Sequence, residues 1–179
     1  MNRSLFRALV IAAITSLSLA GAASAEQRFA LVISGASGGK EYAVQYANWT
    51  DSLLQVLTGR LKMSADSVTV LSDSDQPSLA ATADNVRGIL GALRTKMTRD
   101  DLLVIVLIGH GTFDGVDAKF NLVGRDLESA EWGALLKTIP GRLVVVNTTA
   151  GSFPFIERLA INSTSSSLNR RVNTVNTER

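Results

Sequence analysis

The stretch that decides the fold is Leu102–Gly111, which reads LLVIVLIGHG. An uninterrupted aliphatic run ends there in a glycine and in His110, the only histidine of the chain. A strand without polar alternation is typical of a parallel sheet that is buried on both faces. Such sheets carry their sites at the carboxyl ends of the strands, so this stretch predicts an α/β fold with a site at His110.

A second stretch, Arg142–Ser152, has the same design and reads RLVVVNTTAGS. Its apolar part is followed by small hydroxylated residues, at the place where a nucleophile is expected. We predict that residues 102–108 and 143–146 are adjacent parallel strands at the centre of the sheet.

Helical and extended patterns alternate along the rest of the chain. This alternation predicts parallel βαβ units with right-handed crossovers, and therefore a mainly parallel sheet with helices on both faces, an α/β/α sandwich. The predicted strands are 28–34, 67–72, 102–108 and 143–146, with a weak extended piece at 120–123, and the predicted helices are 41–61, 84–97, 128–138 and 153–161.

One face of the first predicted helix collects apolar side chains at helical spacing. We predict that they belong to the core rather than to a ligand-binding platform. They are Tyr42, Tyr46, Trp49, Leu53, Val56 and Leu57.

The first 25 residues have the pattern of a signal peptide. Arg3 and Arg7 give a basic start, residues 8–20 are small and apolar, and the sequence ASA at 23–25 fits a cleavage site. The apolar part is too short for a good membrane span. We expect cleavage before Glu26, which leaves 179 − 25 = 154 residues, and a periplasmic or secreted protein.

The remaining chain divides into one domain at 26–161 and a polar tail at 162–179. The tail is rich in Asn, Ser, Thr and Arg, a composition typical of disordered segments. The alternative is that the chain ends early or leaves its ancestral frame there, because a sheet of this kind usually has another strand after Ile161.

Composition limits the partners. The chain has 18 basic and 16 acidic residues, and loss of Arg3 and Arg7 with the leader leaves 16 of each. A neutral domain has no general attraction for nucleic acid or for an anionic membrane, so we expect neither as a partner. The chain has no cysteine, which excludes disulfides.

Two loops have residues that are found in cofactor or metal sites, and neither fits the pattern of such a site. Residues 35–40 read GASGGK, but the spacing is too short for a phosphate loop, and Glu41 follows where such a loop needs Ser or Thr. The acidic residues between 114 and 128 lack the spacing of a calcium loop. We therefore predict no cofactor and no metal.

Three motifs resemble the caspase/legumain-like cysteine peptidase superfamily: GHG at 109–111, FNL at 120–122 and NTTAGS at 147–152. In that family a hydrophobic strand ends in His-Gly, and the next strand ends at the catalytic cysteine, before a Gly/Ser turn. The resemblance covers residues 28–161 and implies a core sheet in the order 2-1-3-4.

The resemblance assigns roles to three residues. His110 matches the catalytic histidine, Gly111 matches the glycine whose backbone N–H helps to bind the oxyanion, and Thr149 matches the cysteine position. Thr148 and Ala150 are alternatives for that position, because the turn is shorter than in the family. A threonine hydroxyl needs a strong adjacent base, whereas a cysteine attacks as a thiolate.

Three functions remain open at this point. The preferred one is an exported caspase-like pseudopeptidase that binds a peptide or protein partner through the former active-site cleft. The second is an active hydrolase that uses His110 with the hydroxyl of Thr149, Thr148 or Ser152. The third is a degraded gene product that has no retained function.

Overall fold

The computed structural model describes residues 26–163, and these residues form seven strands and four α-helices. A π-helical turn at Gln55–Arg60 continues the first helix, and a 3-10 turn at Ala65–Ser67 precedes the second strand. The strands are β1 (Arg28–Ser34), β2 (Val68–Leu71), β3 (Leu102–Ile108), β4 (Gly111–Phe113), β5 (Ala118–Phe120), β6 (Leu127–Glu128) and β7 (Arg142–Asn147), and the helices are α1 (Lys40–Leu54), α2 (Ala83–Lys96), α3 (Ser129–Lys137) and α4 (Ser152–Ser163).

The main sheet consists of four parallel strands in the order β2-β1-β3-β7. Leu31 of β1 pairs with Ile105 of β3, which pairs in turn with Val145 of β7. This architecture confirms the predicted α/β fold, the order of the four strands and the parallel pairing of β3 with β7.

The predicted central position is confirmed for β3 and is wrong for β7, which is the outer strand of the described sheet. Burial alternates along β7, because Leu143 and Val145 are buried whereas Val144 and Val146 are only partly buried. An apolar run therefore indicated a strand correctly, but it did not reveal how completely each face of that strand is covered.

Helices cover the two faces of the sheet unequally. On one face, Ile105 and Leu107 pack in a core cluster with Leu90 of α2, Leu136 of α3 and Phe155 of α4. On the other face, a smaller cluster receives side chains from α1 and from the turn after it; its buried members are Ala30, Val32, Tyr46, Leu57, Met63, Val106 and Ile108. The sheet thus lies between helices, as predicted, with its thinner cover on the α1 side.

The core prediction for α1 and the turn after it is only partly confirmed. Tyr46 and Leu57 are buried, but Tyr42, Trp49 and Val56 are 45%, 49% and 40% exposed. The reason is that a single helix lies over this face of the sheet, and its apolar stripe is wider than the surface it contacts.

The chain after His110 forms a second, smaller sheet that the sequence did not predict. Strands β4, β5 and β6 pair antiparallel in that order. Ala118 and Phe120 of β5 are buried, and the Phe120 ring contacts Trp132 edge to face at 6.5 Å between centroids. The sequence indicated only the weak extended piece at 120–123, which overlaps β5 at Phe120, because strands of two or three residues are too short to give a periodic pattern.

Candidate functional site

The carboxyl ends of β1, β3 and β7 are held together by backbone hydrogen bonds. Gly35 N–H donates to the carbonyl of Ile108 at 2.9 Å. Both the N–H and the hydroxyl of Thr148 donate to the carbonyl of Leu107, at 3.1 and 3.0 Å. These bonds fix the relative positions of the strand ends that carry His110 and Thr149.

The structure brings Thr149 directly against Gly111. A Cβ atom built on Gly111 would lie 2.6 Å from Thr149 Oγ1 and 2.9 Å from Thr149 Cβ, so only glycine fits at position 111 without a shift. Thr149 is 4% exposed, and its N–H donates to Asn147 Oδ1 at 3.0 Å. The residue at the expected nucleophile position is thus adjacent in space to the residue after the histidine, but it is buried.

The imidazole of His110 contacts the side chains of α1. Its ring meets Tyr42 edge to face, with centroids 4.6 Å apart, and meets Tyr46 at 5.8 Å. Within residues 26–163 the imidazole makes no hydrogen bond, and in particular none to Thr149. A histidine activates a nucleophile that lies within its hydrogen-bond reach, and no such bond joins His110 to a hydroxyl group of residues 26–163.

Thr148 and Ser152, the other two candidate nucleophiles, also make hydrogen bonds at the end of β7. The hydroxyl of Thr148 donates to Leu107, as described above. Ser152 is 2% exposed at the start of α4, and its N–H donates to the carbonyl of Thr149 at 3.1 Å. Both residues therefore have structural roles at the end of β7.

His110 belongs to a continuous row of rings on the surface of α1. The rings of Tyr42 and Tyr46 are 6.1 Å apart, and those of Tyr46 and Trp49 are stacked at 5.9 Å. We call His110, Tyr42, Tyr46 and Trp49 the aromatic row. Its partly exposed members form an apolar surface beside the strand ends, although the spacing of Tyr42 and Trp49 predicts core positions.

Tyr46 anchors the aromatic row. Burial raises the pKa of its hydroxyl above the ordinary value of 10.0, and the neighbouring Tyr42 adds to this increase. This shift favours the neutral phenol in the buried centre of the row.

The loop carboxylates close turns in their own loop. Asp114 Oδ1 accepts hydrogen bonds from the N–H groups of Asp117 and Val116 at 2.8 and 2.9 Å, and these bonds lower the pKa of Asp114. Asp126 Oδ1 accepts from the N–H of Leu122 at 2.7 Å. Over residues 26–163, no three His, Cys, Asp or Glu side chains are grouped so that they could hold a metal ion.

None of the helices within 26–163 is long and apolar enough to cross a membrane. No protein-family model and no curated protein sequence matches the chain. Among solved structures, the chain is similar to protein GSU0716 from Geobacter sulfurreducens, with a TM-score of 0.50 and 17% identity. The match covers 69% of this chain and 50% of that one, so this chain spans only part of that protein's length. At this identity the similarity shows the fold alone.

Proposed function

We propose that this protein is a non-catalytic domain of the caspase/legumain-like type, and that it binds a peptide or protein partner at the carboxyl ends of β3 and β7. The family assignment is supported by the sheet order, by the His-Gly pair that ends β3 and by the position of Thr149 at the end of β7. The leader expected at 1–25 would deliver the domain to the periplasm or outside the cell.

The observation that carries the proposal is the orientation of the His110 imidazole. The ring lies against Tyr42 rather than against a hydroxyl group, and Thr149 is buried where a peptide carbonyl cannot reach it. A general base acts within hydrogen-bond reach of the proton that it takes. The absence of such a contact at His110 and the burial of Thr149 support a non-catalytic site with a partly exposed surface.

That surface has the composition of a protein-binding site. Tyr42 and Trp49 are about half exposed and belong to one stacked row beside a strand-end corner. Aromatic side chains supply much of the energy of protein interfaces, because they bury a large area at a low cost in conformational entropy. An extended peptide lying along the row would contact the exposed rings of Tyr42 and Trp49.

A hydrolysis assay tests the non-catalytic part of the proposal. We expect purified protein to cleave no member of a broad peptide library, because no hydroxyl among residues 26–163 is hydrogen-bonded to the His110 imidazole. Turnover that disappears in His110→Ala and in Thr149→Val, and that persists in the exposed control Val44→Ala, would establish the rival hydrolase instead.

A binding assay tests the other part. Peptides selected from a random display library on the wild-type protein are synthesised, labelled and titrated by fluorescence anisotropy. We expect Tyr42→Ala and Trp49→Ala each to weaken their binding by at least about tenfold. Val44→Ala is the matched control, because Val44 is 63% exposed on the same helix but lies outside the aromatic row. Equal losses in all three variants, or no loss in any, would contradict the proposed surface.

Restoring the thiol should not restore peptidase activity. In Thr149→Cys the sulfur would occupy a buried position against Gly111, out of reach of a bound peptide. Misplacement of a reacting group by about 1 Å costs about 10²-fold in rate. We expect no robust cleavage of the peptide library by this variant, and efficient cleavage that depends on His110 would mean that only the nucleophile had been lost.

A further inference from the structure

Asn121 lies where three elements of the candidate site meet. It belongs to the FNL motif of residues 120–122, which the proposed function leaves without a role, and it follows Phe120, the last residue of β5. Its N–H donates to the carbonyl of His110 at 3.0 Å, and its carbonyl accepts from the N–H of Ala36, in the loop after β1, at 3.1 Å. These two bonds fix the main chain of Asn121 beside the strand end that carries the histidine.

The side chain of Asn121 is accessible and has unused hydrogen-bond donors. It is partly exposed, and its Oδ1 accepts one long hydrogen bond from the hydroxyl of Thr112 at 3.4 Å. An amide nitrogen offers two N–H donors, and those of Asn121 Nδ2 make no hydrogen bond within residues 26–163. The contact with Thr112 orients the amide, so that its two donors remain for an acceptor outside this part of the chain.

The neighbours of Asn121 decide which kind of acceptor fits. His110, to which Asn121 is bonded, places its ring against Tyr42 of the aromatic row. Lys119, two residues before Asn121 on β5, forms an ion pair with Glu128 at 3.3 Å, so its charge is balanced. A carboxylate would require an unbalanced cation here, whereas a neutral peptide carbonyl requires only a donor. The surroundings therefore favour a peptide carbonyl that lies beside an aromatic surface.

We propose that Asn121 recognises the main chain of the peptide partner: its Nδ2 donates to one peptide carbonyl, while a neighbouring side chain of the peptide packs on Tyr42. This inference rests on the proposed function, because it assigns one hydrogen bond of the same peptide surface. Main-chain hydrogen bonds contribute affinity, and the contacts of side chains contribute specificity. Because Thr112 already orients the amide, little conformational entropy is lost when the bond to the peptide forms.

Replacement of the amide by a carboxylate of the same shape tests the direction of the hydrogen bond. Asn121→Asp keeps the acceptor for Thr112 but removes both N–H donors. We expect it to weaken binding of the display-selected peptides about tenfold in the fluorescence anisotropy assay. Asn48→Asp is the matched control, because Asn48 is an exposed amide of α1 outside the aromatic row and the substitution adds the same charge. Unchanged or tighter binding in Asn121→Asp would overturn the proposal.

A thioamide scan of the tightest-binding selected peptide identifies the carbonyl. Each amide of the peptide is replaced in turn by a thioamide, whose sulfur is a poorer hydrogen-bond acceptor than oxygen. We expect one position to lose about fivefold in affinity for the wild-type protein, and the same replacement to cost nothing further in Asn121→Ala. Equal sensitivity of the two proteins at every position would overturn the proposal. So would a loss that depends on Asn121 but follows only the amidation of a carboxylate in the peptide.

Thr112→Val tests whether the Thr112 hydroxyl positions the amide. We expect peptide binding to weaken about two- to threefold in the otherwise wild-type protein and to remain unchanged in the Asn121→Ala background. The melting temperature should not change, because Thr112 is exposed. Equal losses in both backgrounds would contradict this positioning role.

Failure of this inference can be distinguished from failure of the proposed function. If Tyr42→Ala and Trp49→Ala weaken peptide binding while Asn121→Ala and Asn121→Asp do not, the aromatic surface is supported and the assignment of Asn121 is overturned. If no peptide binds the wild-type protein, both proposals are overturned.

Discussion

At the amino end of the sheet, the carboxylate of Asp101 accepts three hydrogen bonds. The donors are the N–H of Gln27 at 2.8 Å and the N–H and hydroxyl of Thr98 at 2.7 and 3.0 Å. Asp101 is 3% exposed, and this burial alone would raise its pKa. The hydrogen bonds outweigh burial, so the pKa lies below its ordinary value of 3.8. One side chain thus ties the start of β1 to the turn before β3.

Asp101→Asn should lower the free energy of unfolding by about 1–3 kcal/mol, because an amide cannot accept all three bonds and leaves buried donors unpaired. A carboxylate with a depressed pKa stabilises the fold fully above its ordinary value, and this contribution is lost as pH falls below 3.8 toward the folded-state pKa. Urea unfolding at pH 7 and in acid should therefore give a difference between wild type and variant that shrinks in acid. The exposed Asp100→Asn should give no difference at either pH.

Gly111 and Thr149 form a contact that tests the geometry of the candidate site. Gly111→Ala should destabilise the protein by about 1–3 kcal/mol, since its Cβ would overlap the Thr149 side chain. Thr149→Gly removes both overlapping atoms, so the double variant should lose less stability than the two single changes added together. Gly88→Ala is the control: its Cβ meets nothing within 4 Å on helix α2, and it should stabilise by about 0.5–1 kcal/mol. Additive losses would mean that the two residues are not in contact.

Among the elements, α3 begins with a reciprocal cap. Glu131 accepts from the N–H of Glu128 at 3.2 Å, and its other oxygen binds Arg125 at 2.9 Å and Arg87 at 3.0 Å. Burial raises the pKa of Glu131, but the Glu128 N–H and the two guanidinium groups outweigh it and hold the pKa below 4.5. The same carboxylate therefore caps α3 and links it to α2.

Glu131→Ala should lower the free energy of unfolding by about 1–2 kcal/mol, because the cap and both ion pairs are lost. Glu131→Gln retains an acceptor for the cap and should lose about half as much. The charge contribution of the wild-type carboxylate is present above pH 4.5 and is lost in acid, so each variant should differ less from the wild type there. Urea denaturation at pH 7 and in acid measures the free energy of unfolding of the wild type and of both variants. Glu157→Gln, on the exposed face of α4, is the control.

Some elements could be predicted from the sequence and others could not. Long apolar runs and helical spacing predicted the four parallel strands and the four helices to within a few residues at each end, because each has its own periodicity. The pairing of strands β4–β6 was not predicted, because strands of two or three residues are too short to show a periodicity. Tyr42 and Trp49 were assigned to the core because spacing reports a shared helix face, but not how much of that face another element covers.

The candidate site could likewise be predicted only in part from the sequence. The order of the motifs placed His110 and Thr149 at neighbouring strand ends, and the structure does bring Thr149 against Gly111. The sequence did not indicate that the imidazole lies against Tyr42, since side-chain direction at a strand end depends on the local turn. The sequence also did not indicate the cavity of about 340 Å³ between α1 and the carboxyl ends of β1 and β2, because the serines and aspartates in its lining form no motif.

For the molecule as a whole, the two faces of the sheet differ in cover and its strands differ in pairing. Strands β1 and β3 pair on both sides, whereas β2 and β7 each have one partner in the described sheet. Three helices pack on one face, and on the other face α1 leaves Val104 and Val146 partly buried. Stability should therefore decrease from β1 and β3 toward β7 and α1.

Native-state hydrogen exchange should reveal this order. Amides of β1 and β3 should exchange only through global unfolding, while those of α1 should exchange at least about tenfold faster through local opening, since many of its side chains are exposed. Amides of β7 should be intermediate, because one edge of this strand has no neighbour among residues 26–163. Protection in β7 equal to that in β3 would contradict this prediction, and would mean that a further segment pairs with the free edge of β7.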